Sequence, residues 1–252
     1  MTGLGEHASR PPSPVTRAWA GCAPRGLRWT DGLGSIHIVC VDLTEPALDA
    51  SADLSDEERR RASKLATAVQ SRRFVAARVA LRRLLAERLG LADASKVALT
   101  SGHRGKPRLD PGPRWPDLRF SLARSGDQAL IALSDGREVG VDLERPHVLF
   151  GDPDFRRRYL SAAEQEAISA MDPDEQARDS GRRWVRKEAI LKAVGLGLSH
   201  PPTALELDAL TIGHGSIMLI GADRRPHQVH WQDLALADDS VFAAVACSQP
   251  AA

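Results

Sequence analysis

Hydrophobic spacing divides the chain into two stretches with the same order of elements. Residues 1–34 are rich in Pro, Gly and Arg and show no hydrophobic period, so they read as a flexible extension. Residues 36–43 (IHIVCVDL) then alternate as a strand does. Ser55-Asp56-Glu57-Glu58 is a capping-box signature for a helix reaching about Ala66. A longer helix spans about 71–89 and stops at Gly90. Residues 97–100 read as a short strand, Gly105-Lys106-Pro107 as a loop, and 118–122 and 129–134 as two strands joined at Ser125-Gly126-Asp127. The second stretch opens with a strand over 138–143, followed by helices at about 154–159, 162–171 and 179–193. Gly195 and Gly197 end the last helix, and strands follow at 205–210, 216–220, 227–234 and 241–247. Strand, helices, strands, twice over, predicts an α+β fold of two similar lobes, 35–135 and 136–249, with a cleft between them.

Composition narrows the classes. A chain of 252 residues with 42% hydrophobic and 27% charged positions can bury an ordinary globular core. A formal net charge of +1 gives no global attraction to nucleic acid or anionic membrane, although arginine concentrates between Arg59 and Arg88. Cys22, Cys40 and Cys247 fit no disulfide framework or metal spacing, which points to a reducing cytoplasm. No stretch approaches the roughly 18 apolar residues of a membrane span, and no apolar export signal opens the chain.

Two segments carry the candidate chemistry. In VGVDLE (139–144), strand alternation sends Asp142 and Glu144 to one face while Val141 and Leu143 enter a core. Gly140 leaves room on the carboxylate face for a ligand or a second backbone. Two hard oxygen donors at i and i+2 suit Mg2+; a solvated acidic edge strand is the alternative. In WVRKEAILK (184–192), Trp184, Glu188 and Lys192 share one helix face, with Lys187 beside them. A surface Glu–Lys pair, contributing about 0.3–0.5 kcal/mol, is the simplest reading of that spacing. Val185, Ala189, Ile190, Leu191 and Val194 make the helix apolar over most of its circumference, however, and so predict burial. A buried Glu between two lysines needs partners, and a metal with a phosphorylated ligand supplies them.

VGVDLE followed about 40 residues later by WVRKEAILK resembles the paired signatures of the 4'-phosphopantetheinyl transferases, in the larger, surfactin-synthetase-activating type. Gly105-Lys106-Pro107 resembles a third family feature, and the segment from Phe120 to Gly126 (FSLARSG) an altered form of a fourth. The likeness runs from about Ser35 to Cys247. It implies two pseudosymmetric lobes with coenzyme A bound in the cleft between them. It implies transfer of the phosphopantetheine arm to a serine of an apo acyl or peptidyl carrier protein, with release of adenosine 3',5'-bisphosphate. It further implies Asp142, Glu144 and Glu188 as Mg2+ ligands, Glu188 and Lys192 as catalytic residues, and Lys187 and Lys192 on the diphosphate. Lys106 and Arg61 would meet the adenosine end, with Ser121, Arg124 and Ser125 also on the coenzyme. One chain holding both lobes would supply a whole site, hence a monomer.

The sequence departs from the family where Arg124 replaces the usual His and Ala123 the Ser before it. Arginine keeps a phosphate contact and loses the pH dependence of His; a solvated turn arginine is the alternative. On the 71–89 helix, Arg78 falls within the apolar stripe of Phe74, Leu81 and Leu85, with Arg82 at its edge, and a structural ion pair with a buried acid is the favoured reading. His103 reads as a loop residue, and Glu164 and Glu166 as surface residues. A non-catalytic binder of coenzyme A or carrier protein would have lost a metal carboxylate, and none is lost. A nucleic-acid module based on the arginine-rich region would bind with steep salt dependence; one Tyr, five Phe and balanced charge argue against it.

Overall fold

The computed structural model describes residues 15–16, 25–30, 35–44, 52–101, 106–110, 117–207, 213–238 and 240–250. The first five strands and two helices are β1 (Val15–Thr16), β2 (Arg25–Thr30), β3 (Ser35–Asp42), α1 (Asp56–Ser63), α2 (Ala68–Leu89), β4 (Leu99–Ser101) and β5 (Pro107–Leu109). After them come β6 (Leu118–Ser125) and β7 (Gln128–Asp135). The second lobe comprises β8 (Glu138–Glu144), α3 (Pro153–Tyr159), α4 (Ala162–Ser169), α5 (Pro173–Ala193), β9 (His214–Ile220), β10 (Pro226–Asp233) and β11 (Phe242–Pro250). One antiparallel sheet runs β1-β2-β3-β7-β6, a second β8-β11-β10-β9, and β4-β5 is a separate ribbon.

Alternation along the strands produces four layers. One face of the first sheet, with Val41, Ile131 and Leu133, packs on Leu81 and Leu85 of α2. Its other face, with Ile36, Ile38 and Leu130, packs on Val139, Val141, Leu143 and Val245 of the second sheet. The far face of that sheet, with Val229, Trp231 and Ala244, receives Val185, Ile190 and Leu191 of α5. Each sheet thus has a long helix outside and the other sheet inside, so the two-lobed α+β expectation holds.

Where element boundaries moved, local chemistry explains it. α5 starts at Pro173, earlier than periodicity suggested, because Asp172 caps the N–H groups of Asp174 and Glu175 ahead of a polar first turn. Leu205 and Leu207 enter the core without strand pairing, behind a 3-10 turn at Pro202–Ala204; residues 208–210 lie outside the described ones. Residues 25–30, within the segment read as an extension, pair with β3. Arg78 and Arg82 form the structural ion pair expected of them: Glu58 accepts from each Nε at 2.5 Å. Arg82, 2% exposed, also donates to the carbonyls of Ala94, Ser95 and Val97. Among the described residues no helix is long and apolar enough to cross a membrane.

Strand β8 and helix α5 approach closely at Gly140. A Cβ there would lie 2.0 Å from the Ala189 carbonyl oxygen and 2.6 Å from the Ala193 nitrogen. Backbone on both sides cannot yield as a side chain can. Gly140→Ala should therefore lower the free energy of unfolding by about 3 kcal/mol or more, at the top of the overpacking range, as read from urea denaturation. A loss below about 1 kcal/mol would mean that β8 and α5 can part without cost.

Candidate active site

Strand β8 sorts its residues as alternation demands. Val139, Val141 and Leu143 are fully buried between the sheets, and Gly140, Asp142 and Glu144 take the α5 side. Because Gly140 has no side chain, α5 lies directly on the strand, and Glu188 and Lys192, one turn apart, come down beside the carboxylates. Lys192 Nζ donates to Asp142 Oδ1 at 2.7 Å and to the Val141 carbonyl at 3.2 Å. Ser125 Oγ, at the end of β6, donates to Glu144 Oε2 at 2.7 Å and accepts the Arg145 N–H at 3.2 Å.

The group is electrostatically incomplete. Asp142 Oδ2 and Glu188 Oε1 are buried without a hydrogen-bond partner among the described residues. Burial pushes Glu188 up to about 7; Lys192 opposes the rise, while Asp142 and Glu144 add to it. Burial also raises Asp142 against the pull of Lys192, and raises Glu144 against the Ser125 hydrogen bond. Burial by itself would depress Lys192, but the three carboxylates outweigh it and hold its ammonium above the ordinary lysine value. Among the described residues no three His, Cys, Asp or Glu side chains are already gathered as ligands of one ion. The donors nevertheless fit a hard divalent cation: all are carboxylate oxygens, two lack partners, and each carboxylate raises the cost of ionising Glu188.

A second group lies in the first lobe. The guanidinium carbons of Arg61 on α1 and Arg124 on β6 stand 5.4 Å and 5.6 Å from the centroid of the Phe74 ring. Arg61, Phe74, Arg78 and Glu58 line a cleft that also includes Thr100 and Pro107. Arg78 is engaged by Glu58, whereas no carboxylate among the described residues pairs with Arg61 or Arg124. Desolvation and then the nearby Arg61 and Arg78 pull the Arg124 guanidinium below its usual value. Such a cluster favours an anion. Its Arg124 directly precedes Ser125, the residue that holds Glu144, at the end of β6.

Three expected coenzyme contacts are engaged elsewhere. Lys187 is 0% exposed and uses its three donors on Glu164 Oε2 (2.5 Å) and the carbonyls of Pro202 (2.9 Å) and Tyr159 (3.2 Å). One residue of helix rotation turns it away from Glu188, into the protein. Ser121, 2% exposed, accepts the Val141 N–H at 3.1 Å and joins β6 to β8. Lys106 donates to the carbonyls of Val139 and Lys192 rather than reaching into the arginine-lined cleft. Gly105 and His103 lie outside the described residues. Sequence reasoning missed Glu164, read as a surface residue and found 0% exposed. Its signal was the spacing Ser161-x-x-Glu164: the structure forms that capping box and then turns the same carboxylate onto Lys187. Trp184 packs with Tyr159 and Phe155 at ring-centroid distances of 4.5 Å and 5.7 Å.

Residues 138–246 match the family model described as the 4'-phosphopantetheinyl transferase superfamily. The 4'-phosphopantetheinyl transferase HetI of Nostoc sp. is 31% identical over 169 residues, 65% of this chain and 70% of that one. A Synechocystis sp. relative, slr0495, is 34% identical over 151 residues, and the chain spans 58% of its length. The 4'-phosphopantetheinyl transferase Sfp of Bacillus subtilis is 26% identical over 166 residues, 66% of this chain and 71% of that one. With β8 and α5 bringing the paired motifs face to face, the chain belongs to the 4'-phosphopantetheinyl transferase superfamily and is of the Sfp-like type.

Proposed function

We propose that this chain moves the 4'-phosphopantetheine arm of coenzyme A onto a serine of an apo carrier protein and releases adenosine 3',5'-bisphosphate. The observation that carries the reading is the placing of Asp142, Glu144 and Glu188 around Lys192, with two carboxylate oxygens buried and unpartnered among the described residues. Asp142, Glu144 and Glu188 would hold Mg2+, with Lys192 swinging off Asp142 toward the diphosphate. A bound Mg2+ would supply Lewis-acid polarisation of the diphosphate. Glu188 takes the proton of the carrier serine, directly or through a water, as the serine oxygen bonds to the phosphorus of the pantetheine arm. The bond from that phosphorus to the bridging oxygen breaks, and Lys192 offsets the charge that leaves with the nucleotide.

Arg61 and Arg124, without a carboxylate partner among the described residues and set on the Phe74 ring, receive the 3'-phosphate end of coenzyme A. Ser125 acts by holding Glu144. Two lobes in one chain support a monomer, and three widely spaced cysteines that fit no disulfide framework support a reducing cytoplasm. The Sfp-like resemblance supports carriers of peptide or polyketide synthases, hence a role in secondary metabolism. No nucleic-acid or membrane partner belongs to this reading.

Incubation with coenzyme A, Mg2+ and purified apo carriers should add the mass of one phosphopantetheine arm to a carrier, and chelation of the metal should abolish the gain. Coenzyme A binding without a mass gain on any carrier would overturn the transferase reading in favour of a non-catalytic binder. Glu188→Ala should lower kcat by about a hundredfold or more, in the range for loss of a general base. Turnover near wild type would remove Glu188 from the chemistry.

Arg124→Ala should raise the KM for coenzyme A about tenfold, the loss of one charge-assisted hydrogen bond, and leave that for dephospho-coenzyme A unchanged. In the wild type the ratio of the KM values for dephospho-coenzyme A and coenzyme A should stay level between about pH 6 and 8, because arginine remains charged and titration of Glu188 acts on both coenzymes alike. Arg124→His should bring a KM that climbs above about pH 6.5, as the imidazole loses its proton. Equal effects of Arg124→Ala on both coenzymes would move Arg124 off the 3'-phosphate.

A further inference from the structure

Lys106 belongs to the first lobe, one residue before β5, yet its side chain ends in the second. Its Nζ donates to the Val139 carbonyl on β8 at 3.0 Å and to the Lys192 carbonyl on the last turn of α5 at 2.8 Å. The Glu138 carboxylate stands 3.9 Å away, and the side chain is only 19% exposed. Reaching this place has a cost. Burial lowers Lys106 to about 8; Glu138 opposes the shift, while Arg108, Lys192 and Arg119 add to it.

The two acceptors are telling. Val139 lies three residues before Asp142, and the Lys192 carbonyl belongs to the residue whose ammonium holds Asp142. The last four carbonyls of a helix lack their regular partner one turn on; that of Lys192 receives only a long bond from the Gly195 N–H, 3.4 Å, and a cation there also meets the negative end of the helix dipole. Neighbouring carbonyls are met from within the second lobe: Ala193 by Ser248 Oγ at 3.3 Å, and Val194 by the Ala222 N–H at 3.0 Å. Lys106 brings a bond from the first lobe, and it binds strand and helix with one ammonium. Between its two acceptors lies the close Gly140 contact between β8 and α5.

We infer that Lys106 is a positioning residue, an inter-lobe strut that locks the end of α5 onto β8 and so fixes Lys192 against the carboxylates, rather than a group that touches the nucleotide. The inference rests on the proposed transferase reading for its kinetic consequence, but not for its mechanical one. Lys106→Met, which fills the space and removes the donors, should lower kcat for carrier modification at least tenfold. Its dissociation constant for adenosine 3',5'-bisphosphate, read by calorimetry, should stay within threefold of wild type. Lys106→Arg, whose fork can reach two carbonyls, should keep kcat within threefold of wild type. A purely structural loss would not separate kcat from nucleotide affinity in this way. A tenfold rise in the bisphosphate dissociation constant with kcat retained would make Lys106 a nucleotide contact and overturn the strut. So would a methionine variant with wild-type kcat. If Lys106→Met does not fold, Lys106→Arg decides alone: retained kcat and affinity support the strut, and lost bisphosphate affinity overturns it. Hydrogen exchange separates this inference from the functional reading. The amides of Val194, Gly195 and Leu196, bonded to the carbonyls of Ile190, Lys192 and Leu191, should exchange at least tenfold faster in Lys106→Met, even if no carrier is ever modified. Unchanged protection at those amides would overturn the strut, whereas a wild-type chain inactive on every carrier would refute only the transferase reading.

Discussion

The site depends on one steric constraint: strand β8 must come close enough to helix α5 for the carboxylates of one to meet the charged residues of the other. Gly140 permits that approach, because any Cβ would fall 2.0 Å from a carbonyl oxygen of the helix. The spacing of the other site residues follows from it. Asp142 and Glu144 come two and four residues along the same strand face, and Glu188 and Lys192 one turn apart on the helix above them. The layers behind these elements, inter-sheet core on one side and helix core on the other, leave neither element free to back away.

Neighbouring residues of α5 show how a buried charge used for stability differs from one held for chemistry. Lys187 is fully buried and has all three donors occupied, by Glu164 and two carbonyls. Arg183, 2% exposed, donates to Asp179 at 2.6 Å and stands 3.7 Å from Glu164. Those charges join α5 to α4 and to the segment around Pro202. On the adjoining face the balance is left open. Three carboxylates share one lysine, and burial holds the proton affinity of Glu188 near neutrality. A carboxyl group poised near neutrality by burial and by two neighbouring carboxylates is a pattern more typical of a functional site than of a structural ion pair. The arginines around Phe74 are the converse, a cationic group that no carboxylate among the described residues pairs with directly, apart from Arg78.

Much of this was legible in the chain because its signals are local. Alternation in VGVDLE assigned each side chain of β8 to its face, and the apolar circumference of WVRKEAILK announced a buried helix. The Arg78–Arg82 puzzle resolved as an ion pair because a charge inside an apolar stripe has few other solutions. What could not be read is where long side chains end. Lys187 and Lys106 are flexible cations whose targets are decided by tertiary placement: a carboxylate on α4 for one, and carbonyls of the opposite lobe for the other. Ser121 was assigned to the coenzyme from its motif, whereas the meeting of β6 and β8, invisible in either strand alone, gives its hydroxyl to a backbone N–H. Glu164 carried a readable capping signal, but that signal says nothing of burial. Strand β2 escaped because its partner strand, rather than any hydrophobic period of its own, defines it.

The central claim is that the β8–α5 carboxylates form a metal-diphosphate site. A crystal structure with coenzyme A and Mn2+ in place of Mg2+, read by anomalous scattering, tests it most directly. The account predicts one manganese peak among Asp142, Glu144 and Glu188, touching the diphosphate, with Lys192 turned off Asp142 and the 3'-phosphate between Arg61 and Arg124. Coenzyme A bound with its diphosphate away from these carboxylates, or manganese ordered elsewhere, would contradict it.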